Sequence, residues 1–157
     1  MTNRILRSGG PTARVFGLAL VAAAVVLPAG CGRGQFPVAA ASGRITLDGQ
    51  PLEAARVGFE PIRNGERLDA GPGSYGVTDA DGRYALTTID GRTGAVVGMH
   101  RVWVRTFQAE EGPNGQIVPI RPERVPKRYN VETELTIEVP PEGTDSADFD
   151  LTTAPGR

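Results

Sequence analysis

Side chains that support acid–base or metal chemistry are scarce in this chain. It contains one histidine, His100, and one cysteine, Cys31. With no second histidine and no free cysteine, a zinc site at His100 would need three carboxylates, which is an unusual ligand set. A single histidine also leaves a serine triad barely possible. We therefore interpret His100 as a residue packed at the start of a strand. We expect no catalytic residue, no cofactor and no metal.

Asp79 and Asp81, followed by Gly82, supply two oxygen ligands close together, as at the beginning of a calcium-binding loop. The glutamate that completes such a twelve-residue loop is replaced by Asp90. A tight turn that needs the backbone geometry of Asp and Gly is the simpler interpretation, and weak calcium binding is the alternative.

Residues 71–76 (GPGSYG) have the spacing of a dinucleotide-binding fingerprint. That motif works only between a strand and the N-terminus of a helix. The residues that follow predict a short strand and a turn, so we expect an ordinary glycine-rich loop.

Two groups of side chains are candidates for a binding surface. A basic cluster lies in a proline-rich connection and consists of Arg121, Arg124, Lys127 and Arg128. Such a cluster suits anionic envelope glycans or phospholipid headgroups. Trp103 and Phe107 form the second candidate, an exposed aromatic platform. The structural alternatives are solvated charges for the first group and burial under a loop for the second.

The first 30 residues have the pattern of an export signal. Arg4, Arg7 and Arg14 make the start basic, and no acidic residue precedes Asp48. Residues 15–27 are an unbroken apolar run that would span about 20 Å as a helix, against a bilayer core of about 30 Å. The run therefore predicts a signal-peptide core and not a membrane-spanning helix.

Residues 27–31 (LPAGC), which end this run, resemble the lipobox of bacterial lipoproteins. The resemblance implies that the Cys31 thiol receives a diacylglyceryl group, that the chain is cut before Cys31, and that the new amino group is acylated. Two acyl chains suffice for stable anchoring. Gly32 stands where an Asp often marks retention in the inner membrane, which favours the outer membrane. A free thiol, or an ordinary secretory signal, is the alternative.

Removal of residues 1–30 leaves 14 basic and 18 acidic residues, a net charge of −4. This balance argues against a nucleic-acid partner, whose phosphates must be met by a basic stripe. Residues 31–41 are small and without periodicity, which predicts a flexible tether. Residues 42–153 suffice for one domain, and residues 154–157 form a short tail.

Alternation of apolar and polar residues predicts about seven short strands after residue 41 and almost no helix. The predicted strands lie near 42–47, 55–60, 75–78, 84–88, 96–107, 135–139 and 149–151. The run 96–107 is the candidate for a central strand, with His100 on one face and Trp103 on the other. Residues 108–130 contain four prolines, which predicts an extended surface connection. We expect an antiparallel Greek-key sandwich, with a closed barrel as the alternative.

Three segments resemble the carboxypeptidase regulatory-like, or transthyretin-like, domain: residues 42–52 (SGRITLDGQPL), 54–59 (AARVGF) and 78–86 (TDADGRYAL). They are similar to the opening strand pair of that family and to its T-D-x-x-G-x-Y motif. Residues 94–102 and 126–130 are similar to a subgroup of small bacterial lipoproteins built on the same domain. The resemblance implies a prealbumin-like sandwich that is usually non-catalytic. Hydrolases of the family share several histidines and a C-terminal Tyr-Arg-Gly-Ser, which do not occur here.

Together these patterns predict a lipid-anchored cell-envelope protein whose β-sandwich is a non-catalytic binding or structural module. A carbohydrate- or peptidoglycan-binding module that uses Trp103 is the second hypothesis, and a periplasmic hydrolase is the third. The expected partners are the membrane, through the anchor, and an envelope protein or glycan.

Overall fold

The computed structural model describes residues 36–63 and 70–155, which belong to one compact unit, Gly32–Arg157. The predictions for residues 1–35, including the signal peptide and Cys31, lie outside the described residues. Within residues 36–63 and 70–155 the chain is nearly all β, with one short 3-10 helix at Lys127–Tyr129. The strands of this part are β1 (Val38–Ala39), β2 (Ser42–Leu47), β3 (Gln50–Pro51), β4 (Arg56–Pro61), β5 (Ser74–Val77), β6 (Arg83–Ala85), β7 (Thr87–Thr88), β8 (Ala95–Val96), β9 (Gly98–Arg105), β10 (Gln108–Glu111), β11 (Ile117–Arg121), β12 (Thr136–Val139) and β13 (Phe149–Leu151).

Two larger sheets hold most of these strands. One has five antiparallel strands in the order β12-β9-β4-β5-β7. In the other, β2 pairs antiparallel with β3 and β6 and parallel with β13. The expected all-β and mainly antiparallel character is therefore confirmed. The parallel pair is a departure from it, since it joins a strand from the start of the domain to one from its end.

Strand β9 takes the predicted central position, between β4 and β12 in the five-stranded sheet. The predicted facing is also confirmed. His100, Val102 and Val104 are fully buried on the core side, while Arg101 and Arg105 are exposed on the opposite side. Alternation along an extended strand produces this division, because successive side chains point to opposite faces.

Both sheets contribute to a single hydrophobic core. Ile45 from β2 and Val57 and Phe59 from β4 are fully buried within it. The ring centroid of Phe59 lies 6.3 Å from that of Tyr84 and 6.4 Å from that of Phe149. Full burial of side chains of this size contributes about 1.5–3 kcal/mol each, so this shared core accounts for much of the stability of the fold.

The folded unit begins earlier than the sequence predicts. Val38 and Ala39 pair with Val96 and Ala95, and Ala39 and Ala41 are buried. The flexible tether expected over residues 31–41 is thus corrected for 36–41, and residues 31–35 lie outside the described part. A two-residue strand of small side chains has no alternation from which it could be recognised.

The proline-rich connection contains regular structure that the sequence did not predict. Strands β10 and β11 form an antiparallel hairpin, and Ile117, Val118 and Ile120 are exposed on it. Pro119 is tolerated because a two-stranded ribbon leaves one edge of each strand without a ladder partner. The predicted surface location of this segment is confirmed.

Candidate functional site

The candidate site is the side of the five-stranded sheet that faces away from the core. We call it the Trp103 face, and it consists of Arg56, Gly58, Glu60, Tyr75, Arg101, Trp103 and Arg105. The strand register arranges these residues in rows. Tyr75 lies opposite Gly58, and Gly58 lies opposite Trp103. Arg56 lies opposite Arg105 in the neighbouring row.

The indole of Trp103 occupies the space above Gly58. A β-carbon at Gly58 would lie 2.6 Å from Trp103 Nε1 and closer still to the ring atoms Cε2 and Cζ2. Glycine is therefore required for the ring to take this position, as expected where another group approaches a strand closely. The Nε1–H of Trp103 donates a hydrogen bond to Glu60 Oε1 at 3.1 Å. Trp103 is half-buried.

Three exposed arginines surround the indole. The Cζ atom of Arg105 lies 4.8 Å from the Trp103 ring centroid, a cation–π contact that holds the guanidinium in place. Arg56 and Arg101 lie beside it on the same face. Within residues 36–63 and 70–155, none of these three arginines has a carboxylate within salt-bridge distance, whereas Arg92 pairs with Asp90 at 2.9 Å. The guanidinium groups of the Trp103 face are therefore not paired with a carboxylate in this part of the chain.

Three shallow depressions adjoin Trp103, with volumes of about 450, 480 and 280 Å³. Glu132 lines the first, Phe107 the second, and Tyr75 and Ile89 the third. Trp103 and Phe107, predicted as one platform, thus do line a common depression. Phe107 is 47% exposed, so part of its ring is open to solvent.

Phe107 is positioned by the residue before it. The backbone N–H and the hydroxyl of Thr106 donate to Glu123 Oε1 at 3.0 and 2.8 Å, and the N–H of Val125 donates to the same oxygen at 2.9 Å. Burial acts to raise the pKa of Glu123, but these hydrogen bonds outweigh it and lower the pKa. The carboxylate therefore stays ionised and fixes the segment that carries Phe107.

The predicted basic cluster does not converge on this face. Arg121 donates through Nη1 to the carbonyl oxygen of Glu53 at 3.3 Å. Arg128 donates to the carbonyl oxygens of Thr152 and Ala154 and stacks over Tyr129. Arg124 and Lys127 are exposed. None of the four lines the three depressions around Trp103, so two members have structural roles and the cluster is not one patch with Trp103.

His100 is packed as the sequence predicts. It is fully buried, with its ring centroid 5.6 Å from that of Phe59. Its Nδ1 lies 2.9 Å from the carbonyl oxygen of Gly98, while its Nε2 is buried and has no hydrogen-bond partner among the described residues. Burial lowers the pKa of His100, against the smaller opposing effect of the Gly98 carbonyl. The only histidine of the chain is thus neutral and inaccessible.

The two other suggestive motifs have structural roles. Asp79 Oδ1 accepts hydrogen bonds from the N–H groups of Asp81 and Arg83 at 2.9 and 2.8 Å, and Gly82 has a φ of 75°. This is the predicted tight turn. Residues 71–73 form a loop, and the side chain of Ser74 is buried at the start of β5. Within the described residues, no group of three or more His, Cys, Asp or Glu side chains is arranged to hold a metal ion.

Sequence reasoning missed Arg56, Gly58 and Tyr75 as members of the face. They come from strands β4 and β5, and only the pairing register brings them beside Trp103. The one local signal was Gly58 itself, because a glycine inside a strand pattern often marks a close approach by another group. That signal does not identify which group approaches.

Comparison with known proteins gives little similarity. No family model and no curated protein matches the chain. Among solved structures, the chain is similar to a 9R-lipoxygenase from Cyanothece PCC8801, at 16% identity and a TM-score of 0.39. The match covers 74% of this chain and 16% of the lipoxygenase chain, and it is too weak to support a statement about fold or activity. The part of the chain that the structure describes contains no helix long and apolar enough to cross a membrane.

Proposed function

We propose that this chain is a lipid-anchored protein of the cell envelope, tethered through Cys31, whose β-sandwich is a non-catalytic binding module. The observation that carries the binding role is the Trp103 face, where an indole held by Glu60 and Arg105 and three exposed arginines lie on the side of the sheet that faces away from the core. Within the described residues no carboxylate pairs with these arginines, so their guanidinium groups can bind a partner.

The proposed fold is a Greek-key sandwich of the transthyretin-like type. Both sheets contribute side chains to one core, as a sandwich requires. The strand β2 and the turn at Asp79 also occur within two of the three segments whose sequences resemble that family. These features support the proposal.

A non-catalytic role is supported by the state of the groups that would have to react. His100 is buried on the core side of β9, opposite the Trp103 face. The Asp79 Oδ1 atom is occupied by two backbone N–H groups. General acid–base catalysis needs a titratable group within reach of a substrate, which the buried His100 does not provide.

The anchor is proposed from residues 27–31, and Gly32 supports placement in the outer membrane. Cys31→Ser tests it, since serine keeps the size of the side chain but has no thiol to acylate. We expect wild-type protein in the membrane fraction of cells and the variant in the soluble envelope fraction. Retention of Cys31→Ser in membranes would overturn the lipid anchor.

The binding role is tested by cross-linking in intact cells, followed by capture and mass spectrometry. We expect envelope components that are recovered with the wild type and lost with Trp103→Ala. Lys127→Ala is the matched control, because Lys127 is exposed and lies outside the Trp103 face. Equal recovery with all three proteins would contradict a binding role for this face.

A further inference from the structure

We infer that the Trp103 face binds an extended polysaccharide that carries carboxylate groups. This inference rests on the proposed function, because it names the class of ligand for the same surface. It is carried by the charge, spacing and acceptor groups of the face, which are complementary to a chain of hydroxylated rings with acidic substituents.

Charge complementarity indicates an anionic ligand. Arg56, Arg101 and Arg105 are exposed and have no carboxylate within salt-bridge distance in residues 36–63 and 70–155, although the mature chain has a net charge of −4. Three positive charges therefore lie together on one face of a chain whose overall charge is negative. Guanidinium groups bind carboxylates through two parallel hydrogen bonds, and Arg105 is already held by stacking on Trp103.

The spacing of the arginines indicates an extended ligand with more than one negative charge. Arg101 and Arg105 lie on the same side of β9, four residues apart, which corresponds to about 13 Å along a strand. Trp103 lies between them. Arg56 is directly opposite Arg105 on β4, so its charge adds to that of Arg105 at one end of the row. A single small anion contacts one end of this row, whereas a polymer reaches both.

Carboxylate acceptors on the same surface indicate a ligand with hydroxyl groups. Glu60 and Glu132 line the first depression beside Arg101 and Arg105. Ionised carboxylates only accept hydrogen bonds, so they suit sugar hydroxyls, and Glu60 retains acceptor sites beyond the one used by Trp103. The mixture of guanidinium donors and carboxylate acceptors therefore favours a ligand that carries both carboxylate and hydroxyl groups, as an acidic polysaccharide does.

Aromatic side chains complete the surface. Tyr75 is 44% exposed in the third depression, and Phe107 is partly exposed in the second. Tyr75 lies across the sheet from Trp103, beyond Gly58, and Phe107 follows the end of β9. Both offer apolar rings against which the faces of sugar rings pack. Shallow depressions of this kind suit a chain laid across the sheet more than a ligand enclosed in a cavity.

The test uses full-length protein in an uncharged detergent and polygalacturonate as the probe, at 0.15 M salt so that long-range electrostatics are screened. The variants are Arg101→Gln and Arg105→Gln. Arg124→Gln and Lys127→Gln are matched controls, since each removes one exposed positive charge outside the face. Neutral dextran, dextran sulfate and anionic phospholipid vesicles are the comparison ligands.

We expect polygalacturonate to bind, with the dissociation constant raised about tenfold by each variant of the face and unchanged by the controls. Absence of binding, equal weakening in the controls, or binding of dextran sulfate or vesicles as tight as that of polygalacturonate would overturn the inference. These results are separate from those for Cys31→Ser and Trp103→Ala in cells, so a failure here leaves the anchored binding module standing.

Discussion

Replacement of Gly58 by alanine tests the packing on which the Trp103 face depends. The added β-carbon would lie 2.6 Å from Trp103 Nε1, whereas ordinary contact needs about 3.5 Å or more, so the ring must move by about 1 Å at least. The move breaks the hydrogen bond to Glu60, at a cost of about 0.5–1.5 kcal/mol. Alanine in a strand recovers about 0.5–1 kcal/mol relative to glycine. We therefore expect a change in stability within about 1 kcal/mol and a clear change in the environment of the indole.

Trp103 is the only tryptophan of the chain, so its fluorescence reports the ring directly. In Gly58→Ala we expect a shift of the emission maximum to longer wavelength and stronger quenching by acrylamide, with the denaturation midpoint nearly unchanged. Gly73→Ala is the matched control, because a β-carbon there meets only the carbonyl oxygen of Phe59, at 3.5 Å. Wild-type emission and quenching in Gly58→Ala would refute the placement of the indole over Gly58.

Three further predictions concern the core. Gly43→Ala should lower the free energy of unfolding by about 2–3 kcal/mol in chemical denaturation. The added β-carbon would lie 2.9 Å from the Cα of Ala147, and backbone atoms cannot move aside as a side chain can. An unchanged denaturation midpoint would contradict this prediction. Tyr84→Phe should lower the free energy of unfolding by about 1 kcal/mol or more, since the buried Tyr84 hydroxyl donates a hydrogen bond to the Ala147 carbonyl oxygen at 2.6 Å. Equal stability of the two proteins would show that this hydrogen bond contributes nothing. Burial lowers the pKa of His100, so as the pH falls below about 6.5 the imidazole is protonated in the unfolded chain before it is protonated in the folded chain. The free energy of unfolding should therefore decrease towards pH 5, with a slope of at most about 1.4 kcal/mol per pH unit. His100→Gln should remove this slope, and its persistence in the variant would assign the effect to other groups.

The local alternation in the sequence predicted the strands well where they are long enough to show a period. In β9, the alternation of Val102 and Val104 with Arg101 and Arg105 gave both the strand and the division of its faces. The turn at Asp79 was predictable for a similar reason, since its hydrogen bonds run to backbone groups two and four residues away. Short segments such as β1 were missed because two residues carry no periodicity.

The candidate site was predicted only in part. Trp103 and Phe107 were identified from one strand and the residues that follow it, and they line a common depression. Arg121 and Arg128 were assigned by their charge to the other candidate surface, but their guanidinium groups are bound to backbone carbonyls that the sequence does not reveal. Charge in a loop predicts exposure, and it does not predict which carbonyl group lies within reach.

The sequence by itself determined the all-β character and the facing of β9. The pattern of residues 1–31 is also local to the sequence, and the proposed anchor rests on it. These are properties of neighbouring residues, and neighbouring residues are enough to define them. The composition of the Trp103 face was decided only by the tertiary structure. Gly58 and Trp103 are 45 positions apart in the chain, and their contact depends on the register between β4 and β9. A shift of one residue in that register would turn every side chain to the other face, so the site exists only once both sheets have closed on the shared core.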